Sequence, residues 1–340
     1  MSETPPAHIR FRKRLRRAAW VVIVGAYLVC ALAWLVPLDF RSRSQIVVAA
    51  AWTAFMVRTF VFHFGLAVLV FAALALARRR FGIAGATVPL LLFAFGPALW
   101  SSLPKAIPVV RGETIVVMSM NLYADNRDIA QALDQVRQVD PELLLLQECT
   151  DHWHAAFERS LASRYPYAAR VARNDEFGAA IYSRRPFVEP VTNSVRYGEN
   201  TGTLMRTTVH IGDRDVTLYN VHLLPPRRLK YTPIARQHLD DLLEWIDDDD
   251  RPVLLAGDFN FTGRGPQASV LARAGLVDVH DLVGTGRGTT WPDRTPLRWF
   301  PGLRLDHIYM TEELTCTNSY VGQPFGSDHR PVIATVGQRE

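Results

Sequence analysis

Pro252-Val-Leu-Leu-Ala-Gly-Asp258-Phe-Asn260 is a short apolar run that breaks at once into an acid and an amide. Val253 to Ala256 read as a strand buried on both faces, and Gly257 lets the backbone approach a neighbour closely before the polar residues begin. Side chains alternate along extended chain, so Asp258 and Asn260 point to one side. There they can grip a small oxyanion, a water or a metal between them.

Working outward, the same grammar recurs. Apolar runs end at Asn121, Glu148, Asn220 with His222, Asp306, and Asp328 with His329. From Glu113 onward short β runs alternate with helical stretches, the pattern of a layered α/β domain. Strands are expected at Thr114 to Met120, Glu142 to Gln147, Ala179 to Ser183, Leu204 to Ile211, Val216 to His222, Val253 to Gly257, Leu305 to Met310 and Val332 to Val336. Amphipathic helices are expected at Asp128 to Val139 and Ile234 to Ile246. Ligands of such proteins bind in the crevice at the strand ends, so polar residues at corresponding ends imply one shared site. Any one of them alone would be an ordinary turn residue.

The residue types select a chemistry. Oxygen ligands from Glu148, Asn121 and Asp328 suit a hard ion such as Mg²⁺ or Mn²⁺. The three cysteines, Cys30, Cys149 and Cys316, have neither zinc spacing nor the density of a disulfide framework. Cys149 abuts Glu148 but reads as a small buried residue. A Gly-rich phosphate loop and a Ser-centred nucleophile motif are both missing. What remains is metal-assisted attack of water on a phosphate ester or anhydride.

The first 110 residues are of another kind. Arg10, Arg12, Lys13, Arg14, Arg16 and Arg17 precede an uncharged apolar run, and Arg78-Arg79-Arg80 closes a second. Three transmembrane helices are expected, at about 18–38, 59–77 and 83–100, with Gln45 to Val57 as an interfacial or extended helical segment. Arg58 is expected at the outer boundary and His63 as a packing residue. The positive-inside rule puts both basic clusters in the cytoplasm and the 111–340 domain on the outer face of the cell membrane. Two crossings within residues 45–77 would instead leave that domain in the cytoplasm. Of 38 Lys and Arg, 13 lie in residues 1–110 against two acids, so residues 111–340 carry 25 basic and 31 acidic residues, net −6. A grip on a nucleic-acid backbone is poorly served by that balance.

The series Ser119-Met-Asn121, Leu146-Gln147-Glu148, Asn220-Val-His222, Gly257-Asp258-Phe-Asn260, Leu305-Asp306-His307-Ile308 and Ser327-Asp328-His329-Arg330-Pro331 resembles the endonuclease/exonuclease/phosphatase (DNase I-like) superfamily, in family order from about residue 113 to 336. The resemblance implies a four-layer α/β/β/α sandwich. It also implies Glu148 as principal metal ligand, assisted by Asn121 and Asp328, with Mg²⁺ or Mn²⁺ as cofactor. Asp258 would orient or deprotonate the attacking water and Asn260 would position it with the phosphate. His329, held and charged by Asp306, would contact the scissile phosphate. His222 would make a second phosphate contact or protonate the leaving group, and Asn220 would bind substrate or brace the strand end.

The superfamily's substrates range from nucleic acids to lipid pyrophosphates, so the substrate rests on other features. Arg227, Arg228 and Lys230 supply cations close after His222, either for a head group or as a solvated loop. Trp291 is expected at the pocket rim or in the core, Trp299-Phe300 more exposed, Arg206 in a strand-surface ion pair, and Asp247 to Asp250 as a solvated acidic loop rather than a calcium site. Three spans followed by an external catalytic domain resemble the teicoplanin-resistance-type members, which implies a phospholipid or lipid-linked (polyprenyl) phosphate substrate. An extracytoplasmic nuclease and a non-catalytic envelope-binding protein are the alternatives.

Overall fold

The computed structural model describes residues 7–36, 41–194, 203–294 and 296–340, and the chain divides into two compact units, Met1–Trp100 and Ser101–Glu340. In the first, α1 (Ala7–Leu35), α2 (Gln45–Thr59), α3 (Val61–Ala77) and α4 (Phe81–Ser101) follow one another. Ile23 packs with Ala75, Ile83 and Ala84, while Cys30 packs with Val68 and Leu90. Those pairings make α1 antiparallel to α3 and parallel to α4. Gly65 of α3 lies so close to α4 that an added Cβ would stand 2.6 Å from the Ala94 Cβ.

Two helices, Lys13–Leu35 and Phe81–Ser101, are each long and apolar enough to cross a membrane, and α2 with α3 forms a pair bent by 64° that qualifies only jointly. Leu38, the expected end of the first span, lies outside the described residues. Arg58 donates to the carbonyls of Ala33 (2.8 Å) and Trp34 (3.1 Å), which places it at the C-terminal end of α1, where helix carbonyls lack partners. His63 stands edge-on to Phe60 and Phe62, as a packing residue would.

In the second unit the order is β1 (Val110–Asn121), α5 (Ile129–Val139), β2 (Leu143–Gln147), α6 (Asp151–Leu161), β3 (Tyr167–Val171), β4 (Ala179–Ser183), β5 (Phe187–Ser194), β6 (Thr203–Ile211) and β7 (Arg214–His222). Then come α7 (Thr232–Asp247), β8 (Val253–Asp258), α8 (Pro266–Arg273), β9 (Val277–Asp278), α9 (Val279–Val283), β10 (Asp306–Met310), β11 (Leu314–Val321) and β12 (Val332–Arg339). Two six-stranded sheets result, ordered β11-β12-β1-β2-β4-β3 and β5-β6-β7-β8-β10-β9. Helices α5 and α6 cover the outer face of the first sheet, and Tyr219 of the second sheet bonds through its hydroxyl to the Trp245 carbonyl of α7. This is the four-layer α/β/β/α sandwich.

Side-chain parity decides where the chemistry falls. Ile115, Val117, Leu143, Leu145, Val216, Leu218, Leu254, Ala256, Ile308 and Met310 fill the space between the sheets, whereas Met118, Met120, Leu144 and Leu146 pack under the outer helices. Counting by twos from the inward set reaches Asn121, Gln147, Asn220, His222, Asp258 and Asp306. They form the polar rim of the inter-sheet core. His307 has the opposite parity and turns away, to Asp278 (2.8 Å) and the Phe261 carbonyl (3.0 Å).

All three cysteines are free and buried, and burial pushes the Cys149 thiol up to about 12, which removes it as a nucleophile. The acidic run holds a correction: Asp249 is not solvated, its side chain being 1% exposed and paired with Arg206 (2.7 Å) and Arg251 (2.9 Å).

Candidate active site

Asp258 ends β8 opposite Asp306 of β10 and beside His222 of β7, so strand register alone gathers three of the groups. Its Oδ2 accepts from Asn121 Nδ2 (3.0 Å) and Asn260 Nδ2 (3.2 Å), and its Oδ1 from the Asn260 amide (2.9 Å). The same Oδ2 faces His329 Nε2 at 3.6 Å and His222 Nε2 at 3.7 Å, beyond direct hydrogen-bond length. Burial pushes the Asp258 carboxyl up and Asp306 adds to this, against the pull of His329 and His222. A buried carboxylate shifted in that direction has the character of a base.

His329 lies in the Ser327-Asp328-His329 segment, where the Ser327 hydroxyl donates to the Asn121 carbonyl (2.8 Å) and accepts from the His329 amide (3.0 Å). Its Nδ1 meets Asp306 Oδ2 at 2.8 Å. Burial works against its charge, but Asp306 and Asp258 outweigh it and push the imidazole up to about 10. His329 is therefore cationic at neutral pH. His222 shifts the other way, because burial outweighs Asp258, and its buried Nδ1 has no partner.

Glu148 follows β2 with φ +55° and Asn260 follows β8 with φ +52°, both left-handed conformations that few non-glycine residues adopt. Glu148 accepts from Asn121 Nδ2 (3.0 Å) and from the Ala124 amide (2.9 Å), and burial raises its carboxyl in spite of both bonds. Asp328 is close enough to oppose the Glu148 charge, and while its Oδ2 accepts from Trp291 Nε1 (3.2 Å), its buried Oδ1 has no donor. Two neighbouring carboxylates, one with an orphaned oxygen, fit a hard divalent cation. Ligand atoms of Asp258, Asp306 and His329 also lie within 4.8 Å of one another. That trio suits a cation less well, since a protonated imidazole donates from both nitrogens and ligates from neither. Asn121, expected on the metal, uses its NH₂ to tie Glu148 to Asp258 and its Oδ1 to accept from the Tyr123 amide (3.0 Å).

Not every expected residue joins the site. Asn220 is fully committed between the sheets: its Nδ2 donates to the Leu146 and Ala180 carbonyls (both 3.0 Å) and its Oδ1 accepts from Gln147 (2.7 Å). It braces the two sheets and has no atom left for substrate, which corrects its place in the substrate-binding set. Arg227, Arg228 and Lys230 are exposed on the loop after His222, and among the described residues none forms an ion pair or touches a site carboxylate. Arg206 pairs with Asp249, as a strand-surface arginine should. Trp299 and Phe300 are exposed, with Arg298 lying 4.9 Å over the Trp299 ring. Sequence reasoning missed three supporting groups: Ser327, Gln147, and Thr290, whose hydroxyl accepts from the Leu305 (3.1 Å) and Asp306 (3.2 Å) amides. Ser327 and Gln147 stand inside the family motifs and Thr290 stands beside Trp291, and those positions were the available signal.

A two-sheet sandwich with a carboxylate, amide and imidazole cluster at its rim defines a DNase I-like α/β phosphoesterase. A family profile described as "Endonuclease/Exonuclease/phosphatase family" matches residues 118–329, and the chain belongs to that family. Its members are phosphoester hydrolases, typically dependent on a divalent metal ion. None of the curated proteins matches the chain. Solved structures share the fold at low identity. An endonuclease/exonuclease/phosphatase from Bacteroides vulgatus is 15% identical with a TM-score of 0.56, over 67% of this chain and 100% of its own. D. rerio TDP2 complexed with single strand DNA product is 17% identical at 0.55, over 67% and 100%. The human Nocturnin catalytic domain with bound sulfate anion is 17% identical at 0.52, over 68% and 96%.

Proposed function

We propose that this chain is a membrane-anchored, metal-dependent phosphatase or phosphodiesterase acting at the outer face of the cytoplasmic membrane on a phospholipid or lipid-linked (polyprenyl) phosphate. The supporting observation is that one chain joins a phosphoesterase rim to helices apolar enough to cross a bilayer. Such tethering raises the effective concentration of lipid-borne phosphate over any soluble ester. The net −6 of residues 111–340 argues against a polyanionic nucleic acid.

In this reading Asp258 accepts the proton of the attacking water, which Asn260 helps to orient. The two imidazoles stand 3.6 and 3.7 Å from Asp258, so base and phosphate-contacting groups converge on one point without a direct hydrogen bond between them. Cationic His329, steadied by Asp306, stabilises the charge that grows on the phosphate. Burial keeps His222 neutral, so of its two expected roles the phosphate contact is favoured over protonating the leaving group. Glu148 and Asp328 would hold Mg²⁺ or Mn²⁺, which when bound neutralises phosphate charge.

The test is phosphate release by purified full-length protein, with and without chelator, from phospholipids, polyprenyl phosphates, inositol phosphates and single-stranded DNA. Chelator-sensitive release from the lipids, lost in Glu148→Ala, is expected. Cleavage confined to DNA would transfer the proposal to a membrane-anchored nuclease.

A further inference from the structure

Between Thr290 and Arg304 the chain leaves the site and returns to it. Trp291 and Leu303 bond to each other in both directions (2.9 and 2.6 Å), an antiparallel bridge that closes the neck of a loop. The root of that loop rests on the groups assigned to the metal. Trp291 Nε1 donates to Asp328 Oδ2 (3.2 Å) and the Asp293 amide to the Asp328 carbonyl (2.8 Å). The Arg294 guanidinium lies 4.8 Å over the ring of Tyr123, one residue before Ala124, whose amide holds Glu148.

Beyond this root the loop faces water. Pro296 to Phe300 are all exposed, and Leu297–Trp299 form a single 3₁₀ turn. Trp299 is 76% exposed, Phe300 66% and Leu297 51%. Among the described residues from Val110 on, these are the three most exposed large apolar side chains, and the next, Val188 and Tyr320, reach only 42%. Apolar residues scattered singly over a surface are ordinary; three within four positions form a patch that water opposes. The backbone of the tip is prepared to leave water. The Arg298 and Phe300 amides donate to the Arg294 and Leu297 carbonyls (both 2.9 Å), and the Trp299 amide faces the Pro296 carbonyl at 3.5 Å. Pro296 and Pro301 carry no N–H at all. Few donors are therefore stranded when the tip enters a less polar medium.

Charge says which medium. Residues 294–304 hold three arginines and no acid. Arg304 is engaged by Asp278 and Asp281 (3.1 and 2.8 Å), whereas Arg294 and Arg298 are exposed, the latter 4.9 Å over the Trp299 ring. Exposed aromatics beside arginines suit a bilayer with anionic head groups, where the rings lodge at head-group depth and the guanidinium groups meet lipid phosphates. Helix α4, apolar enough to cross a membrane, ends at Ser101 and β1 begins at Val110, so a short linker keeps the second unit close to any bilayer that α4 crosses. We propose that Leu297, Trp299 and Phe300, with Arg294 and Arg298, form a docking tip that inserts into the head-group layer of an anionic phospholipid bilayer and holds the mouth of the active site against it. The inference deepens the lipid reading of the site and rests on it for the substrate, though not for the docking itself.

Full-length protein is reconstituted into vesicles of phosphatidylglycerol and phosphatidylethanolamine that carry nitroxide-labelled lipid. All three native cysteines are buried, so an environment-sensitive fluorophore attaches only to Leu297→Cys or, as control, to Tyr167→Cys. Tyr167 is exposed but pairs with Ser183, itself opposite Leu143, at the strand ends away from the site. The Leu297 probe shifts to the blue and is quenched by the labelled lipid, while the Tyr167 probe does neither. Equal quenching at both positions, or at neither, overturns the docking. So does a blue shift without lipid quenching, which would set the tip against protein, such as a second copy of this chain. In a second arm Trp299→Ser/Phe300→Ser raises the apparent KM for a polyprenyl phosphate in the same vesicles about tenfold or more with kcat retained, and leaves hydrolysis of a short-chain isoprenyl phosphate dissolved as monomer unchanged. An unmoved KM, or an equal loss on the dissolved ester, overturns the proposal. A quenched tip without turnover of any lipid condemns the lipid-substrate reading alone; lipid turnover with an unquenched tip condemns the docking alone.

Discussion

At the scale of single residues, Asp258 accepts from two amide side chains and faces two imidazoles, so it can be altered in charge without much change of shape. Asp258→Asn is expected to lower kcat by roughly 10²–10⁴-fold, the usual contribution of a general base. Substrate binding should persist, as measured by inhibition of the wild type or by calorimetry on the variant. Asn220→Ala tests the opposite assignment. Loss of its NH₂ leaves the Leu146 and Ala180 carbonyls buried without a donor, at a cost of about 2–4 kcal/mol. The unfolding midpoint should therefore fall while turnover per folded molecule holds; a normal midpoint with a raised KM would return Asn220 to the substrate. The two residues also show what was legible. Asp258 announced itself because an acid after a buried strand must be answered by something. Asn220 looked the same in sequence, and only the second sheet, invisible from one strand, reveals that its partners are backbone carbonyls.

At the scale of elements, the eight strands expected from the sequence are the interior strands of the two sheets, and the four that escaped notice, β3, β5, β9 and β11, are their edges. Interior strands such as Leu143–Gln147 and Val253–Asp258 are buried on both faces and read as near-continuous apolar runs. Edge strands such as Tyr167–Val171 alternate partly exposed residues and so lose that signal. Within β8, Gly257 was legible for the right reason: an added Cβ would stand 1.8 Å from the Val221 carbonyl of β7. Gly257→Ala should cost more than about 3 kcal/mol, seen as loss of soluble folded protein in detergent extracts, whereas Ala256→Gly one residue earlier should be milder. Asp249 was not legible, since Arg206 reaches it from β6, and Arg251, two residues along, reads in sequence as part of the same loop. Burial opposes its charge, but bonds from Arg251, Thr217 and Arg206 more than offset this and hold the carboxyl at about 2, below its ordinary 3.8. A depressed folded-state pKa gives stability that is full above the unfolded value and vanishes as pH falls through the folded one. Wild-type stability should therefore drop between about pH 4 and pH 2 by a component that Asp249→Asn lacks, the variant being weaker by about 1–2 kcal/mol at pH 7.

At the scale of the whole molecule, the side on which residues 101–340 emerge depends on how many times the first unit crosses the bilayer. Parity can be argued from packing. With α1 antiparallel to α3 and parallel to α4, residues leaving α4 depart from the end of the bundle where α1 finishes. Arg58, bonded to the last carbonyls of α1, marks that same end as the place where α3 begins, and Arg78 to Arg80 mark the other. Helix α3 has 17 residues, about 25 Å of rise, short for a 30 Å hydrocarbon core but within reach when flanking side chains snorkel. If the pair α2 and α3 makes one crossing, as in the proposed function, the positive-inside rule puts both basic clusters in the cytoplasm and the phosphoesterase outside. A periplasm-dependent reporter fused after Glu340 should be active, and the same reporter fused after Arg80 should be silent. The reverse pattern would mean that α2 and α3 enter and leave on one side. The active site would then face the cytoplasmic leaflet, and the substrate would have to be a lipid phosphate presented there.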